Sequence, residues 1–110
     1  MDKLYENGIY TILATPSGAR PAWLDEKYPE CMRVNADDHR AHHGFRHNHC
    51  MSSPKFREKT GIIINKIIDT VGDHPGLAMW HISNEFGGEC FCPLCKKNFR
   101  TISLTNLTTI

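Results

Sequence analysis

The sequence predicts an α/β protein built on parallel strands. Two short runs of apolar and β-branched residues, 8–15 and 76–83, have the pattern of strands that are buried on both faces. The clearest helix of the chain lies between them and begins near Pro54. Because strands that alternate with helices are typical of βαβ units, we expect the two strands to run parallel in one sheet.

Turn-forming residues bound both predicted strands. Asn7-Gly8 leads into the first strand and Pro16 ends it, and Pro75-Gly76 leads into the second. Glycine and proline interrupt regular structure, so these positions predict where each strand begins and ends.

The predicted helix has a cap, a proline in its first turn and one apolar face. Ser53 can cap it, Pro54 suits the first turn, and Gly72 followed by Pro75 ends it. The residues at the three-to-four spacing of one helix face are Phe56, Thr60, Ile63, Ile64, Ile67 and Val71. We therefore expect this face to be buried.

Residues 16–52 are rich in Pro, Asp, His and Arg and carry only weak periodicity. We expect a long ordered loop there, with a short helix near residues 23–28 and a brief strand within residues 41–48. Residues 1–7 are expected to end a preceding helix, and residues 93–100 to begin a following one. No linker divides the chain, so one domain is expected.

Composition excludes several classes of function. The chain has 110 residues with an apolar fraction of 40%, which is enough for one small core. Thirteen Lys and Arg against twelve Asp and Glu give a net charge of +1, so the long-range field that would attract nucleic acid or an anionic membrane is absent, and neither is an expected partner. The amino-terminal residues contain no apolar secretory region, and no stretch approaches the ~18 apolar residues of a membrane span. We therefore expect a cytoplasmic protein.

The chain contains five cysteines, an odd number that argues against a complete set of disulfides. In a reducing compartment, clustered cysteines more often bind metal or carry out redox chemistry. Cys90, Cys92 and Cys95 fall close enough together for one loop to wrap a single tetrahedral ion. The alternative interpretation is a group of reduced thiols without a metal.

The fourth ligand of such a site must come from another part of the chain. Cys50 is the best candidate, because a parallel sheet would bring the end of the predicted strand within residues 41–48 beside the end of the second strand. Cys31 lies in an earlier loop and is a weaker candidate. His47 and His49 are chemically acceptable as well.

Asn84 and Glu85 follow the carboxyl end of the second predicted strand. In α/β barrels the catalytic groups lie at strand ends on that face. Partial burial raises the pKa of a carboxyl group and allows it to act as a general acid, and an amide can donate to a substrate hydroxyl. From the pattern alone, a solvated loop glutamate is the better interpretation of Glu85.

Residues 39–50 contain two Arg and five His. Such a segment could form a sugar or phosphate site, a second metal site, or a basic contact with nucleic acid. Histidines are also common in polar loops, where they are exposed or bonded to the backbone. We favour this simpler interpretation for most of them.

Three blocks of the sequence resemble glycoside hydrolase family 42, the β-galactosidases with a TIM-barrel catalytic domain. The blocks are ENGIYTILATPSGARPAWL, FRHNHCMSSPKFRE and WHISNEFGGECFCPLCKKNF, which occur in the family's order. The resemblance implies that residues 1–100 are a fragment of a (β/α)8 TIM-barrel catalytic domain, about strands two to four, with a zinc-binding loop.

The resemblance also implies roles for individual residues. The Asn-Glu pair at the end of barrel strand four supplies the general acid/base of the family, which falls here on Glu85, with Asn84 as a substrate-contacting neighbour. Arg46, four residues before the first metal cysteine, contributes to the same sugar site. Members with the cysteine cluster bind zinc, and the matching positions are Cys50, Cys90, Cys92 and Cys95. Zinc bound by four thiolates has no open position and is expected to be structural.

The sequence departs from the family in two respects. A TIM barrel needs ~250 residues, so the partner carboxylate of the family, a glutamate on a late strand, has no counterpart here. Residues 101–110 stop resembling the family, and their Thr and Ile content suits a helix poorly although the family continues a helix there. Truncation with an altered tail, as a frameshift would produce, is one explanation. Cys31 also falls outside the family's cysteine pattern.

The predicted function is retaining hydrolysis of terminal non-reducing β-D-galactose residues in β-galactosides, carried out by a parent enzyme that is expected to be a homo-oligomer. The isolated chain is expected to be inactive. The alternative is a non-catalytic zinc-binding interaction module, for example a nucleic-acid binder that uses residues 39–50. The near-neutral charge and the buried strand that leads into Asn84-Glu85 count against this alternative.

Overall fold

A computed structural model describes residues 1–16, 18–85 and 87–107, with side chains described as far as residue 104. Its elements, in chain order, are α1 (Asp2–Tyr5), β1 (Thr11–Ala14), α2 (Ala22–Lys27), a 3₁₀ turn (Pro29–Cys31), α3 (Pro54–Val71), β2 (Leu77–His81) and α4 (Pro93–Leu107). The two strands and the long helix between them are the βαβ unit that the sequence predicts.

β1 and β2 pair directly in a parallel sheet. Ile12 lies opposite Met79 and Ala14 opposite His81, with an irregularity between Thr11 and Ile12. Because the strands are parallel, their carboxyl ends meet at one edge of the sheet. The expectation of about three strands is wrong for the described residues, which contain these two.

The strands are not buried on both faces within the described chain. The side chains alternate between half-buried and exposed along β1, and Ile12 and Met79 are 61% and 58% exposed. Each strand has a single hydrogen-bonded neighbour here, so most of its apolar surface has nothing to pack against. The expectation that both strands are buried on both faces is therefore wrong for the described residues.

Helix α3 begins and ends where its flanking residues predict. The Ser53 hydroxyl accepts a hydrogen bond from the Phe56 amide at 3.3 Å, and Pro54 occupies the first turn. At the other end the Gly72 amide donates to the Ile68 carbonyl at 2.7 Å. Of the predicted apolar face, only Phe56 is buried among the described residues, so the expectation of a fully buried face is wrong here.

The long loop contains the predicted short helix, α2, but residues 41–48 do not form the predicted strand. Isolated antiparallel bridges join Val34 to Arg40 and Met32 to His49 instead. The chain reverses direction between Val34 and Arg40. Asn35 stabilises this turn, because its Oδ1 accepts hydrogen bonds from the amides of Asp37 and His39 at 3.0 and 2.8 Å. This side-chain turn folds residues 40–49 back onto residues 32–34.

Helix α4 continues to Leu107, so the expectation that residues beyond 100 suit a helix poorly is wrong as far as that residue. Thr101 is accommodated because its hydroxyl donates to the Lys97 carbonyl at 3.1 Å. Residues 108–110 lie outside the described range. Among the described residues, no helix is both long and apolar enough to cross a membrane.

Two small clusters make up the buried apolar interior. One contains Leu24, Cys31 and Phe56, and the other contains Val34, Cys50 and Cys92. The radius of gyration is 17.9 Å, whereas a compact chain of this length has about 13 Å. The chain is therefore extended, and its interior is small for its length.

Candidate active site and metal centre

The backbone that follows β2 takes an unusual path at the carboxyl edge of the sheet. Ser83 and Glu85 both have left-handed conformations, with φ of 60° and 51°. The Ser83 amide donates to the Thr15 hydroxyl at 2.7 Å, which ties this path to the end of β1. Left-handed backbone at residues other than glycine is costly and concentrates at functional sites. It places Asn84 and Glu85 on an exposed loop at the edge where catalytic groups are expected.

Arg46 and Glu85 are brought into direct contact. Arg46 Nη2 donates to Glu85 Oε2 at 2.9 Å across a sequence separation of 39 residues. The same Nη2 lies 3.0 Å from Nε2 of His47, whose amide donates to the Gly18 carbonyl at 3.0 Å. Both side chains of the ion pair are exposed, 64% for Arg46 and 71% for Glu85, so the partial burial expected of a general acid is not supplied by the described residues.

Of two cavities near α3 and the loop after β2, only the smaller is lined by Glu85. A groove of about 520 Å³ between α2 and α3 is lined by apolar side chains including Trp23, Leu24 and Ile63, and it contains none of the predicted site residues. The small cleft that contains Glu85 is lined by Arg33, His47, His49, Met51, Ser83, Glu85 and Gly87. We place the candidate active site at the small cleft, because the chemistry-bearing side chains converge there and not in the larger groove.

Arg33 and Ser83 are cleft residues that the sequence did not identify. No local sequence pattern identifies Arg33, because its side chain donates to the carbonyl of Gly87, 54 positions further along the chain. Ser83 could have been noticed only as the last residue of an apolar run. His49, also in the cleft, is buried, and this burial, assisted by nearby positive charge on Arg20 and Arg33, lowers its pKa to about 4.

Four cysteine side chains converge at a second position, and they are the four that the sequence predicts. The Sγ atoms of Cys50, Cys90, Cys92 and Cys95 all lie within 4.8 Å of one another. Cys50 Sγ is 3.8 Å from that of Cys92 and 3.5 Å from that of Cys95. A tetrahedral ion with Zn–S bonds of ~2.3 Å separates its sulfur ligands by roughly 3.8 Å, so this arrangement fits one such ion.

Local structure explains why these thiols meet. Phe91 donates its amide to the Val34 carbonyl at 2.8 Å, which holds the three-cysteine segment against residues 32–34. Cys50 is placed beside the same residues by the bridge between Met32 and His49. At the start of α4 the Cys95 amide donates to Cys92 Sγ at 3.5 Å, which helps to fix the position of Cys92.

The thiols of this group differ in how readily they lose their protons. Burial raises the pKa of Cys50 and of Cys95 above the ordinary thiol value. Burial also opposes ionisation of Cys90, but hydrogen bonds with the backbone of Val34 and Cys92 and with neighbouring thiols outweigh it and lower the pKa of Cys90 to about 7. Thiolates this close together repel one another, and the positive charge of a bound divalent cation would offset that repulsion as it displaced the remaining protons.

The remaining candidates for metal binding lie elsewhere. Cys31 is fully buried in the other apolar cluster, where the Ser53 hydroxyl donates to its Sγ at 3.6 Å and burial raises the pKa of the thiol. His47 and His49 belong to the small cleft and not to the four-cysteine group. The structure thus brings together the predicted set and leaves Cys31 outside it.

One histidine of residues 39–50 has a clear structural role. His43 Nδ1 lies 2.8 Å from Asp25 Oδ2, and the other oxygen of that buried carboxylate accepts from Arg20 Nε at 2.6 Å. Because a buried charge needs a partner, this group fastens the histidine-rich loop to α2. The contact supports the structural interpretation for His43.

Comparison with known proteins gives a consistent family match. The family model described as Beta-galactosidase, for glycoside hydrolase family 42, matches residues 1–110. Beta-galactosidase BglY of Alicyclobacillus acidocaldarius is 55% identical over 100 residues, and Beta-galactosidase GanA of Bacillus subtilis is 54% identical over 99 residues. The alignments cover 91% and 90% of this chain but 14% and 15% of the relatives, so the chain spans a small part of their length.

Solved structures agree with the sequence comparison. A catalytic mutant of Gan42B, a GH42 beta-galactosidase from G. stearothermophilus, is 55% identical with a TM-score of 0.92, and the match covers 96% of this chain and 15% of that chain. A beta-galactosidase from the Antarctic haloarchaeon Halorubrum lacusprofundi is 29% identical with a TM-score of 0.88, covering 96% of this chain and 16% of that chain. The described fold is therefore shared with segments of whole enzymes.

Proposed function

The chain belongs to the β-galactosidase family glycoside hydrolase 42, and from this premise we propose that the protein in which it acts hydrolyses terminal non-reducing β-D-galactosides with retention of configuration. The observation that carries the proposal is the contact between Arg46 and Glu85 at the carboxyl edge of the parallel sheet. In the same proposal, β1 and β2 are strands three and four of a (β/α)8 barrel, because they are direct neighbours and Glu85 follows the second.

Glu85 acts as the general acid/base of this reaction. It donates its proton to the glycosidic oxygen as the aglycone leaves, and it then removes a proton from the water that attacks the glycosyl-enzyme. A second carboxylate, ~5–5.5 Å away across the sugar ring, attacks the anomeric carbon and must come from outside these residues. The exposed position of Glu85 is consistent with a site whose other wall is supplied by the rest of the barrel.

Arg46 and Asn84 bind the sugar beside that carboxyl group. Arg46 has hydrogen-bonding capacity left after its contact with Glu85, since a guanidinium carries five donors. Asn84 is exposed directly before Glu85 and can donate its amide to a sugar hydroxyl. Both therefore lie where a hydroxyl next to the scissile bond would be held.

A structural zinc ion at the four cysteines completes the proposal. When bound, the ion supplies a crosslink between the loop that ends at Cys50 and the segment from Cys90 to Cys95. With four thiolate ligands it takes no part in the hydrolysis, so its contribution is to hold the chain on both sides of the cleft. The cytoplasmic location and the homo-oligomeric state of the parent stay predictions.

A chimeric enzyme tests the proposal. Residues 1–100 would replace the matched segment of Gan42B, and proton NMR would follow the first anomer released from an aryl β-galactoside. We expect β-galactose first, with activity lost in Glu85→Ala and kept in Glu89→Gln, a matched control for an exposed glutamate of the same loop. A folded, zinc-loaded chimera without activity would contradict the proposal and favour the non-catalytic zinc module. Release of α-galactose first would contradict retention.

A further inference from the structure

The main chain of Arg33 is hydrogen-bonded to the loop of residues 40–49, which forms one side of the cleft. Its amide donates to the Asn48 carbonyl at 2.9 Å, and its carbonyl accepts from the Ala41 amide at 2.8 Å. It also lies between Met32 and Val34, the residues that form the antiparallel bridges. The main chain of Arg33 therefore moves together with the loop that carries Arg46.

The side chain of Arg33 reaches the other loop. Its Nε donates to the His49 carbonyl at 2.9 Å, and its Nη2 donates to the Gly87 carbonyl across a sequence separation of 54 residues. The guanidinium presses against Gly88, which has a left-handed φ of 82° and at which a Cβ would overlap the Arg33 side chain. The backbone conformation at position 88 thus favours glycine, and a side chain there would have to displace the Arg33 guanidinium.

These contacts give the loop between β2 and α4 an attachment at its middle. Its first residues are held to β1 through Ser83, and its last are held at the cysteine cluster through Cys90. Gly87, two residues after Glu85, is the point at which Arg33 holds it. Without this attachment, the exposed hydrogen bond from Arg46 to Glu85 is the contact that the described residues of the loop keep between its two ends, so the position of Glu85 is less firmly set.

We propose that Arg33 is a positioning residue that fixes the separation of Arg46 and Glu85 by bridging the carbonyls of His49 and Gly87. The proposal rests on the proposed function for the roles of Arg46 and Glu85. Arginine suits this task because its planar fork can donate to two carbonyls at once, which a lysine ammonium on a flexible stem does with less geometric control. No substrate contact by Arg33 is needed.

The test compares Arg33→Met with Arg40→Met in the chimera with Gan42B. Arg40 is the matched control, because its Nη1 also donates to two carbonyls, those of Pro29 and Met32 at 3.1 Å each, without reaching the loop of Glu85. Arg33→Met should lower kcat/KM for lactose by roughly 10- to 100-fold through misplacement of the acid. It should lower kcat/KM far less for an activated aryl galactoside, whose leaving group needs little protonation. Arg40→Met should alter the ratio of the two values by less than about threefold.

A purely structural role would lower both kcat/KM values equally or release zinc, so zinc content and the lactose-to-aryl ratio distinguish the two roles. Hydrogen exchange of residues 84–89 supplies a second readout, and it should rise in Arg33→Met and stay unchanged in Arg40→Met. Equal losses of kcat/KM for both substrates, or the same behaviour of Arg33→Met and Arg40→Met, would overturn the positioning role of Arg33 and leave the proposed function untouched. An inactive wild-type chimera would overturn the proposed function instead.

Gly88→Ala provides a second variant, which tests the same contact without removing Arg33. The added methyl group should displace the guanidinium and reproduce the selective loss on lactose. In an Arg33→Met background the same substitution should cost less, because the side chain that it displaces is gone. Gly88→Ala that lowers both kcat/KM values equally, or that costs as much in the Arg33→Met background as in the wild-type chimera, would contradict displacement of the guanidinium as the cause of the selective loss.

Discussion

Arg46 holds Glu85 through a hydrogen bond of 2.9 Å that joins two loops 39 residues apart in the sequence. Both side chains are mostly exposed, and exposed ion pairs stabilise proteins by only ~0–1 kcal/mol. Stability therefore offers little explanation for the contact. Its position at the carboxyl edge of the sheet, beside a left-handed backbone at Glu85, supports the role that we propose for the pair.

Arg46→Ala should separate activity from stability. In the Gan42B chimera it should lower kcat/KM by about 10- to 100-fold, the range that follows from losing a charged hydrogen bond to substrate, while the unfolding temperature stays nearly constant. Steady-state kinetics and thermal unfolding measure the two effects. Asp38→Asn is the matched control, because Asp38 also forms an exposed long-range ion pair, with Lys96 at 2.8 Å. Equal activity in the two variants would remove Arg46 from the sugar site.

Cys92→Ser should cost most of the bound metal. Cys92 is buried among the other three thiols, and a site with three remaining thiolates holds zinc less tightly. We expect about one zinc per wild-type chain after washing with a weak chelator, measured by elemental analysis. Cys31→Ser is the control and should keep the zinc, since Cys31 packs against Leu24 and Phe56 outside the cluster. Wild-type protein without zinc and with freely titratable thiols would contradict the metal site.

The 110-residue chain on its own should be poorly soluble or partly unfolded. Its radius of gyration exceeds that of a compact chain, and apolar side chains of both strands and of α3 are exposed. It should also show no β-galactosidase activity above background, because it lacks the second carboxylate. Heteronuclear NMR and an aryl galactoside assay test these expectations. A dispersed spectrum from a monomer would show that the chain is a self-contained domain.

The sequence predicted the elements whose boundaries are set by neighbouring residues. Ser53, Pro54 and Gly72 bound α3 through local hydrogen bonds, and turn residues bound both strands. Three of the cluster cysteines follow from close spacing, which needs no knowledge of the fold. The proximity of Cys50 was also expected, although the predicted strand within residues 41–48 that motivated it is wrong.

Features that depend on distant contacts were not predictable in the same way. The side-chain hydrogen bonds of Asn35 turn the chain before residue 40, and the residues that follow pair with residues 32–34 through isolated bridges. The bridge from Arg33 to Gly87 depends on how two remote loops are placed. The predicted burial of the apolar faces is wrong for the described residues, because each strand has one hydrogen-bonded neighbour and Phe56 is the buried residue of α3.

Azide rescue of Glu85→Gln in the Gan42B chimera tests the central claim most directly. Gln cannot protonate the leaving group or activate water, so turnover of lactose should fall by roughly 10²–10⁴-fold. An activated aryl galactoside should still form the glycosyl-enzyme, which then accumulates because its hydrolysis requires the missing base. Azide needs no base, so it should restore turnover and yield β-galactosyl azide, identified by NMR. Full activity of Glu85→Gln on lactose, or an inactive variant that azide does not rescue, would contradict the assignment of Glu85 as the acid/base.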